Sequence, residues 1–419
     1  MYNIFSYKSL VCSIFLLFGV EQVKAAPFSQ VDTSLLVIKN VNVLDLKRGK
    51  FRNHRTVGIF EGRIISTNFS KRKWKTARVI DLSGKYLIPG LIDTHVHVTA
   101  HRKNNMQTTY SHLNYFLRNG ITSVRDASGD GEALLEAKQS IMEGKHEGAN
   151  VYFAAFMAGD WYFNRDIKLR KDPYRPWEQL ITQNTNLDSA MIEAKSSGAT
   201  GVKLYHSFDK ILLPKVVAAA KKYGLKTWGH LMMYPATPME VVASGLEVPS
   251  HVFMLENMVT DTGFHKRKVN PVYKEQIISN FDIKPFCDAM KANHAILDAT
   301  LCVSEDRDPW IFTMLKKIHE QGVEISAGTD QIVDLNRRNP RLFDELDSFV
   351  EKCGFSNNDA IKAATITAAK VIGQQDNIGS IEKGKTADLL VLNGNPLKNI
   401  KELRNIKLVI QSGKIVQRY

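Results

Sequence analysis

Five times in this 419-residue chain a helix-compatible stretch runs into a glycine, and a short apolar segment follows. Gly120 precedes Ile121 to Asp126, Gly198 precedes Val202 to Tyr205, Gly224 precedes Leu225 to Leu231, Gly245 precedes Leu246 to Val252, and Gly322 precedes Val323 to Ala327. A glycine just past a helix end supplies the left-handed cap that a side chain would obstruct. Runs at Leu91 to Val98, Val151 to Met157 and Ala295 to Val303 complete a set of eight candidate strands, each of a length suited to burial on both faces. Eight such strands alternating with helices over about 285 residues predict an α/β fold, a closed TIM-type (β/α)8 barrel with enlarged loops. A doubly wound open sheet is the competing architecture, but no Gly-x-Gly-x-x-Gly follows the first strand.

The flanks follow a different period. Leu35 to Val43, Thr56 to Phe60, Ala387 to Leu392 and Ile406 to Val416 read as short strands punctuated by Gly and Asn. The two chain ends are therefore expected to pair into a small β-sandwich domain, 33–88 with 376–419, beside a barrel over 89–375. The first 25 residues stand apart: Lys8 precedes an apolar run from Leu10 to Val20, and small residues follow at Ala25 and Ala26. This is the pattern of a signal peptide cleaved near Ala25, because the run falls short of the roughly 20 residues that span a bilayer. Export to a periplasm or the medium is expected, with no stable membrane anchor after cleavage. Cys287, Cys302 and Cys353 remain, too few for a disulfide framework and enough for one bridge at most.

The formal charge of +13 favours anionic partners or substrates through the long-range field. It does not imply nucleic acid, since zinc-finger spacing, RNA-recognition signatures and basic heptad helices are all missing from the sequence. Clusters such as Lys71-Arg72-Lys73 and Lys266-Arg267-Lys268 read as solvated faces. Composition leaves a homo-oligomer open.

The strongest local signal is Pro89-Gly90-Leu91-Ile92-Asp93-Thr94-His95-Val96-His97. Residues two apart on a strand share a face, so His95 and His97 can present two imidazoles inward at the carboxyl end of the first strand, a metal-ligand pair. Lys203, His230, His251 and Asp330 fall at the corresponding ends of the fourth, fifth, sixth and eighth strands. Barrel enzymes gather their active residues there, so the conjunction is far more specific than any member. A lysine on a buried strand is costly when charged and unpaired. Lys203 is therefore either a partnered core lysine or the product of carbon dioxide addition, a carbamate that serves as an anionic bidentate ligand.

Taken together, the chain resembles the amidohydrolase superfamily, in particular its imidazolonepropionase-like and prolidase-like (Xaa-Pro dipeptidase-type) branch. The resemblance rests on Val79 to Gly90 before the histidine pair, on Ser326-Ala327-Gly328-Thr329-Asp330, on Ala363-Ala364-Thr365, and on Ile378 to Asp388. It implies a binuclear centre, usually zinc, in which His95, His97 and Asp330 hold one ion, His230 and His251 the other, and carboxylated Lys203 bridges them. Imidazole and carboxylate donors agree independently with a borderline divalent metal. Two such ions can share a water and hold it as hydroxide, while the ion on His230 and His251 polarises the scissile carbonyl. Asp330 then serves as base and acid, its alternative role being ligation alone. Deaminase branches of the superfamily typically lack the lysine and place a glutamate three residues after the fifth-strand histidine; this chain has Lys203, and Met233 at that position.

Pocket walls should come from the loops after the strands. Trp161, Tyr162, Phe163, Tyr174 and Trp177 stand among Arg165, Lys168, Arg170, Lys171 and Arg175. This segment either closes over an apolar, carboxylate-bearing small molecule or packs as a surface loop. Tyr205 and His206 follow Lys203, and strand alternation would turn only one of them inward. Arg125 and Asp126 are expected to form a structural ion pair. The expected reaction is hydrolysis of an amide bond in a dipeptide or N-acyl amino acid. A cyclic amide or a lactone is the enzymatic alternative, and a non-catalytic binding scaffold the alternative from another class.

Overall fold

The computed structural model describes residues 35–71, 74, 77–99, 105–167, 175–260, 270–303 and 309–416. The expected leader lies outside the described residues, as do Arg72, Lys73, the cluster at 266–268, and Lys168, Arg170, Lys171 and Tyr174 of the aromatic and basic loop. Among the described residues no helix is long and apolar enough to cross a membrane.

The barrel strands are Leu91–His97, Ile121–Asp126, Asn150–Ala158, Gly201–Leu204, Lys226–His230, Val248–Ser250, Leu297–Asp298 and Ile325–Ser326, each parallel to the next. The chain beyond the eighth strand returns to the first. Thr94 N donates to Ala327 O at 3.2 Å, and Gln331–Ile332 pairs in parallel with Val96 and His97. The result is a TIM-like barrel. Gly120, Gly198, Gly224, Gly245 and Gly322, which enter these strands, have φ between 71° and 84°, the left-handed region open to glycine at no steric cost. Below the site, Trp228 fills the barrel with Ile92, Ala154, Val248 and Ile296, and its buried indole N–H donates to Val371 O at 2.9 Å. The seventh strand is shorter than the apolar run Ala295 to Val303, whose end, Leu301–Val303, is a 3-10 turn.

Eight further strands from the two chain ends form a second sheet: Leu36–Asp45, Lys50–Phe60, Arg63–Ser66, Arg78–Asp81, Tyr86–Pro89, Leu389–Leu392, Ile406–Gln411 and Lys414–Val416. The ends meet where Tyr86–Pro89 runs antiparallel to Leu389–Leu392. These strands are hydrogen-bonded into one continuous sheet. Leu36–Asp45 is irregular between Ile38 and Val43 and pairs in parallel first with Arg78–Asp81, then with Tyr86–Pro89. Such a bulge bends a strand, which lets one sheet gather Ile38, Val43, Val57, Leu87, Leu389 and Ile410 into one apolar cluster. Cys287, Cys302 and Cys353 are three free, buried thiols.

Only Gly90 separates the second sheet from the first barrel strand. A Cβ there would lie 2.3 Å from Thr122 Oγ1 and 2.9 Å from Thr122 Cβ, so this junction admits no side chain.

Candidate metal centre

His95 and His97 end the first strand and face Asp330, which follows the eighth. His97 Nε2 lies 2.9 Å, and His95 Nε2 3.2 Å, from Asp330 Oδ1. One donor atom from each of the three lies within 4.8 Å of the others. Two imidazoles and a carboxylate form a donor set suited to zinc or a similar divalent ion. Asp93 sets this spacing: Oδ1 accepts from the amides of His95 and Thr329, both at 3.1 Å, and Oδ2 from the Thr329 hydroxyl at 3.0 Å. One carboxylate thus ties the histidine strand to the segment carrying Asp330.

His251 lies beside His95, with ring centroids 5.1 Å apart, and His230 packs edge-on against His251 at 4.6 Å. His251 Nδ1 is 2.9 Å from Thr300 Oγ1 and 3.7 Å from Asp330 Oδ2. His251 and Asp330 both have positive φ, 79° and 49°, the backbone strain that surrounding structure tolerates at functional positions. Lys203 is 3% exposed, and its Nζ has no hydrogen-bond partner among the described residues.

Burial drives His95, His230 and His251 well below the ordinary imidazole range, with the charge of Lys203 adding to the effect in each. They are neutral, with lone pairs able to bind a metal. Burial and then the Arg125 charge push Lys203 down to about 7, against the pull of Asp330 and Asp298. For Asp330 burial acts upward, but His95 and His97 hold the carboxyl below its usual range. His97 is raised despite burial, through its bond to Asp330 and the Asp126 charge.

Arg125 does not pair with Asp126 as expected. Its guanidinium donates to Asp298 Oδ2 at 2.8 Å, both side chains being fully buried, while Asp126 accepts from the amides of Val98 and Ser128. Gly328 explains the tight fit around this group, because a Cβ there would lie 2.3 Å from Asp298 Oδ1 and 2.7 Å from His95 Cβ. Gly328→Ala is expected to lower stability by about 1–3 kcal/mol through overpacking. It should weaken zinc binding as well, checked by denaturant unfolding and chelator competition; wild-type values for both would show that the site accommodates a methyl group.

The rim is aromatic. Tyr205 packs on His230 at 4.1 Å, while His206 stacks on Trp161 at 4.2 Å and on Tyr234 at 5.2 Å. The fourth strand ends at Leu204, so alternation does not govern Tyr205 and His206, and both reach this rim. Trp161 is 51% exposed, whereas Phe163 and Trp177 are buried and belong to the core. Sequence reasoning missed Asp298, Thr300, Asp93 and Tyr234. Asp298 carried a signal, an acid inside a strand expected to be wholly buried.

Residues 86–416 match the sequence profile of the amidohydrolase family. The chain is similar to adenine deaminase 1 of Latilactobacillus sakei, 22% identical over 382 residues covering 88% of this chain and 56% of that protein. It is also similar to imidazolonepropionase of Thermoplasma volcanium, 20% identical over 389 residues covering 87% of this chain and 91% of that protein. The chain thus spans about half the length of the first of these curated relatives. Among solved structures it resembles a Xaa-Pro dipeptidase with bound methionine in the active site, with a TM-score of 0.73, 22% identity, and coverage of 92% of this chain and 100% of that one. A prolidase complexed with N-methylphosphonate-L-proline gives a TM-score of 0.72 at 22% identity, with the same coverage. At these identities the structural likeness establishes the fold. The profile match, running from the strand before the histidine pair to the last strand of the second sheet, is what assigns the chain, and by it the protein belongs to the amidohydrolase family.

Proposed function

We propose that the protein is an exported, binuclear metal-dependent amidohydrolase that cleaves an amide-type carbon–nitrogen bond in a dipeptide or N-acyl amino acid. One observation carries this reading: among the described residues the Lys203 amine is buried without a hydrogen-bond partner, in a barrel whose neighbouring strand ends bear four imidazoles and Asp330. His95, His97 and Asp330 would hold one ion, and His230 and His251 the other. A carbamate on Lys203 would bridge them. Its formation needs a neutral amine, whose lone pair attacks carbon dioxide and whose proton leaves to solvent. An amine held near 7 by burial meets that need at neutral pH. When bound, the ions supply Lewis acidity towards the scissile carbonyl and bring the pKa of a shared water towards neutrality.

The protein's own groups do the rest. Asp330, ionised and 3.7 Å or less from three imidazole nitrogens, accepts the proton of the attacking water and returns it to the leaving nitrogen. Met233, three residues beyond His230, is fully buried. No acid stands there to protonate a departing ammonia, which favours hydrolysis over the deamination named in one relative. Trp161, Tyr205 and His206 would contact an apolar substrate body at the rim.

Metal analysis of the purified protein, coupled to a hydrolysis screen of dipeptides and N-acyl amino acids, tests the whole reading. A metal-free preparation with full activity would overturn it. For the best substrate, kcat/KM should fall about tenfold or more when the C-terminal carboxylate is replaced by an amide, the loss of roughly one charge-assisted hydrogen bond. Equal turnover of acid and amide would remove carboxylate recognition from the proposal.

A further inference from the structure

We infer that Asp298 is a positioning residue that locks His95 in its Nδ1–H tautomer, so that the Nε2 lone pair faces His97 and Asp330; the inference rests on the reading of that cluster as a metal centre. A neutral imidazole carries one proton on two nitrogens. Both His95 nitrogens face carboxylates: Nδ1 is 2.7 Å from Asp298 Oδ2, and Nε2 is 3.2 Å from Asp330 Oδ1. One proton cannot serve both. Asp330 Oδ1 already lies 2.9 Å from His97 Nε2, and the shorter contact is the one to Asp298.

Asp298 is held by side chains from several strands. Its Oδ2 accepts from Arg125 Nη2 at 2.8 Å and from the Ser250 hydroxyl at 3.0 Å, and its Oδ1 lies 3.0 Å from the Thr94 hydroxyl. Arg125 is permanently charged and donates to the same Oδ2 that faces His95, so that oxygen acts as an acceptor. The proton of the His95 contact therefore belongs to the imidazole. These partners come from the first, second and sixth barrel strands, and Asp298 from the seventh, so the ring itself fixes where the carboxylate sits. Gly328 lies against the pair, since a Cβ there would meet both Asp298 Oδ1 at 2.3 Å and His95 Cβ at 2.7 Å. A carboxylate holding the far nitrogen of a metal-binding imidazole sets its tautomer and ring orientation and raises its basicity.

The test uses the full chain, stripped of metal by chelator and labelled with 15N-histidine, with His95 assigned by the signals missing from His95→Gln. Long-range proton–nitrogen correlation should show His95 protonated at Nδ1 and unprotonated at Nε2. A His95 protonated at Nε2 would overturn the inference, and this readout needs no variant of Asp298 to fold. In Asp298→Asn, with circular dichroism matching the parent, zinc affinity measured by chelator competition should fall about 10- to 100-fold. Unchanged zinc affinity there would also overturn it. A wild-type protein that binds no divalent ion at all would instead remove the metal-centre reading, while the tautomer measurement would still decide the role of Asp298.

Discussion

Replacing Lys203 with methionine should leave a protein that is folded, at least as heat-stable as its parent in the metal-free state, and close to inactive. The two effects have opposite signs because one group has two costs. Without metal, a 3% exposed amine with no hydrogen-bond partner among the described residues is a liability of about 1–3 kcal/mol, and methionine fills nearly the same volume with no polar atom to desolvate. The liability depends on pH. The amine titrates near 7 in the fold and near its ordinary 10.5 when unfolded, so between those values the unfolded chain binds the extra proton. Stability of the metal-free parent therefore rises with pH across that window and falls as pH drops through it, a component missing from Lys203→Met. With metal, on the function proposed above, the amine becomes indispensable, since its carbamate would bridge the two ions. We expect most bound metal to be lost and kcat/KM to fall at least about a thousandfold, near 4 kcal/mol of transition-state stabilisation. Metal content per chain, thermal unfolding with and without chelator, and steady-state kinetics measure all three. A variant with full metal and full activity would end the bridging assignment.

Asp330→Asn should behave differently. The amide keeps a carbonyl oxygen that can ligate but cannot carry a proton between water and leaving group. Loss of general acid–base catalysis lowers kcat by about 10²–10⁴-fold, while metal content stays near that of the parent. The contrast with Lys203→Met is what separates a proton carrier from a bridge. If Asp330→Asn loses metal in proportion to activity, ligation alone accounts for the residue; if kcat is unchanged, neither role holds.

The barrel was legible because its signals are local. A glycine that must adopt positive φ marks where a helix stops, and a buried strand must follow before the chain can turn again. The seventh strand was overextended for a related reason: the apolar run Ala295 to Val303 continues into a buried 3-10 turn, and hydrophobicity alone does not distinguish the two. The strands of the second sheet were legible because strand content is local, whereas the irregularity at Ile38 to Val43 that bends the sheet over its own core depends on register. Around the centre, His95 and His97 stood out through their two-residue spacing. Asp298 did not, because its value comes from Arg125 and His95, each about two hundred positions away in the chain. The expected Arg125–Asp126 pair neglected strand geometry: adjacent residues point to opposite faces, so Arg125 reaches Asp298 while Asp126 binds backbone amides.

The trio His95, His97 and Asp330 occupies the seam where the last strand of the ring comes back to the first, joining side chains 233 positions apart. An ion seated in that seam is a suture between the two ends of the barrel as well as a chemical reagent. The free energy of metal capture then feeds into the cooperativity of the whole ring: at a free concentration one hundred times Kd it adds about 2.7 kcal/mol to the folded state. Scarcity of the cation would withdraw that contribution at the same joint where its chemistry takes place.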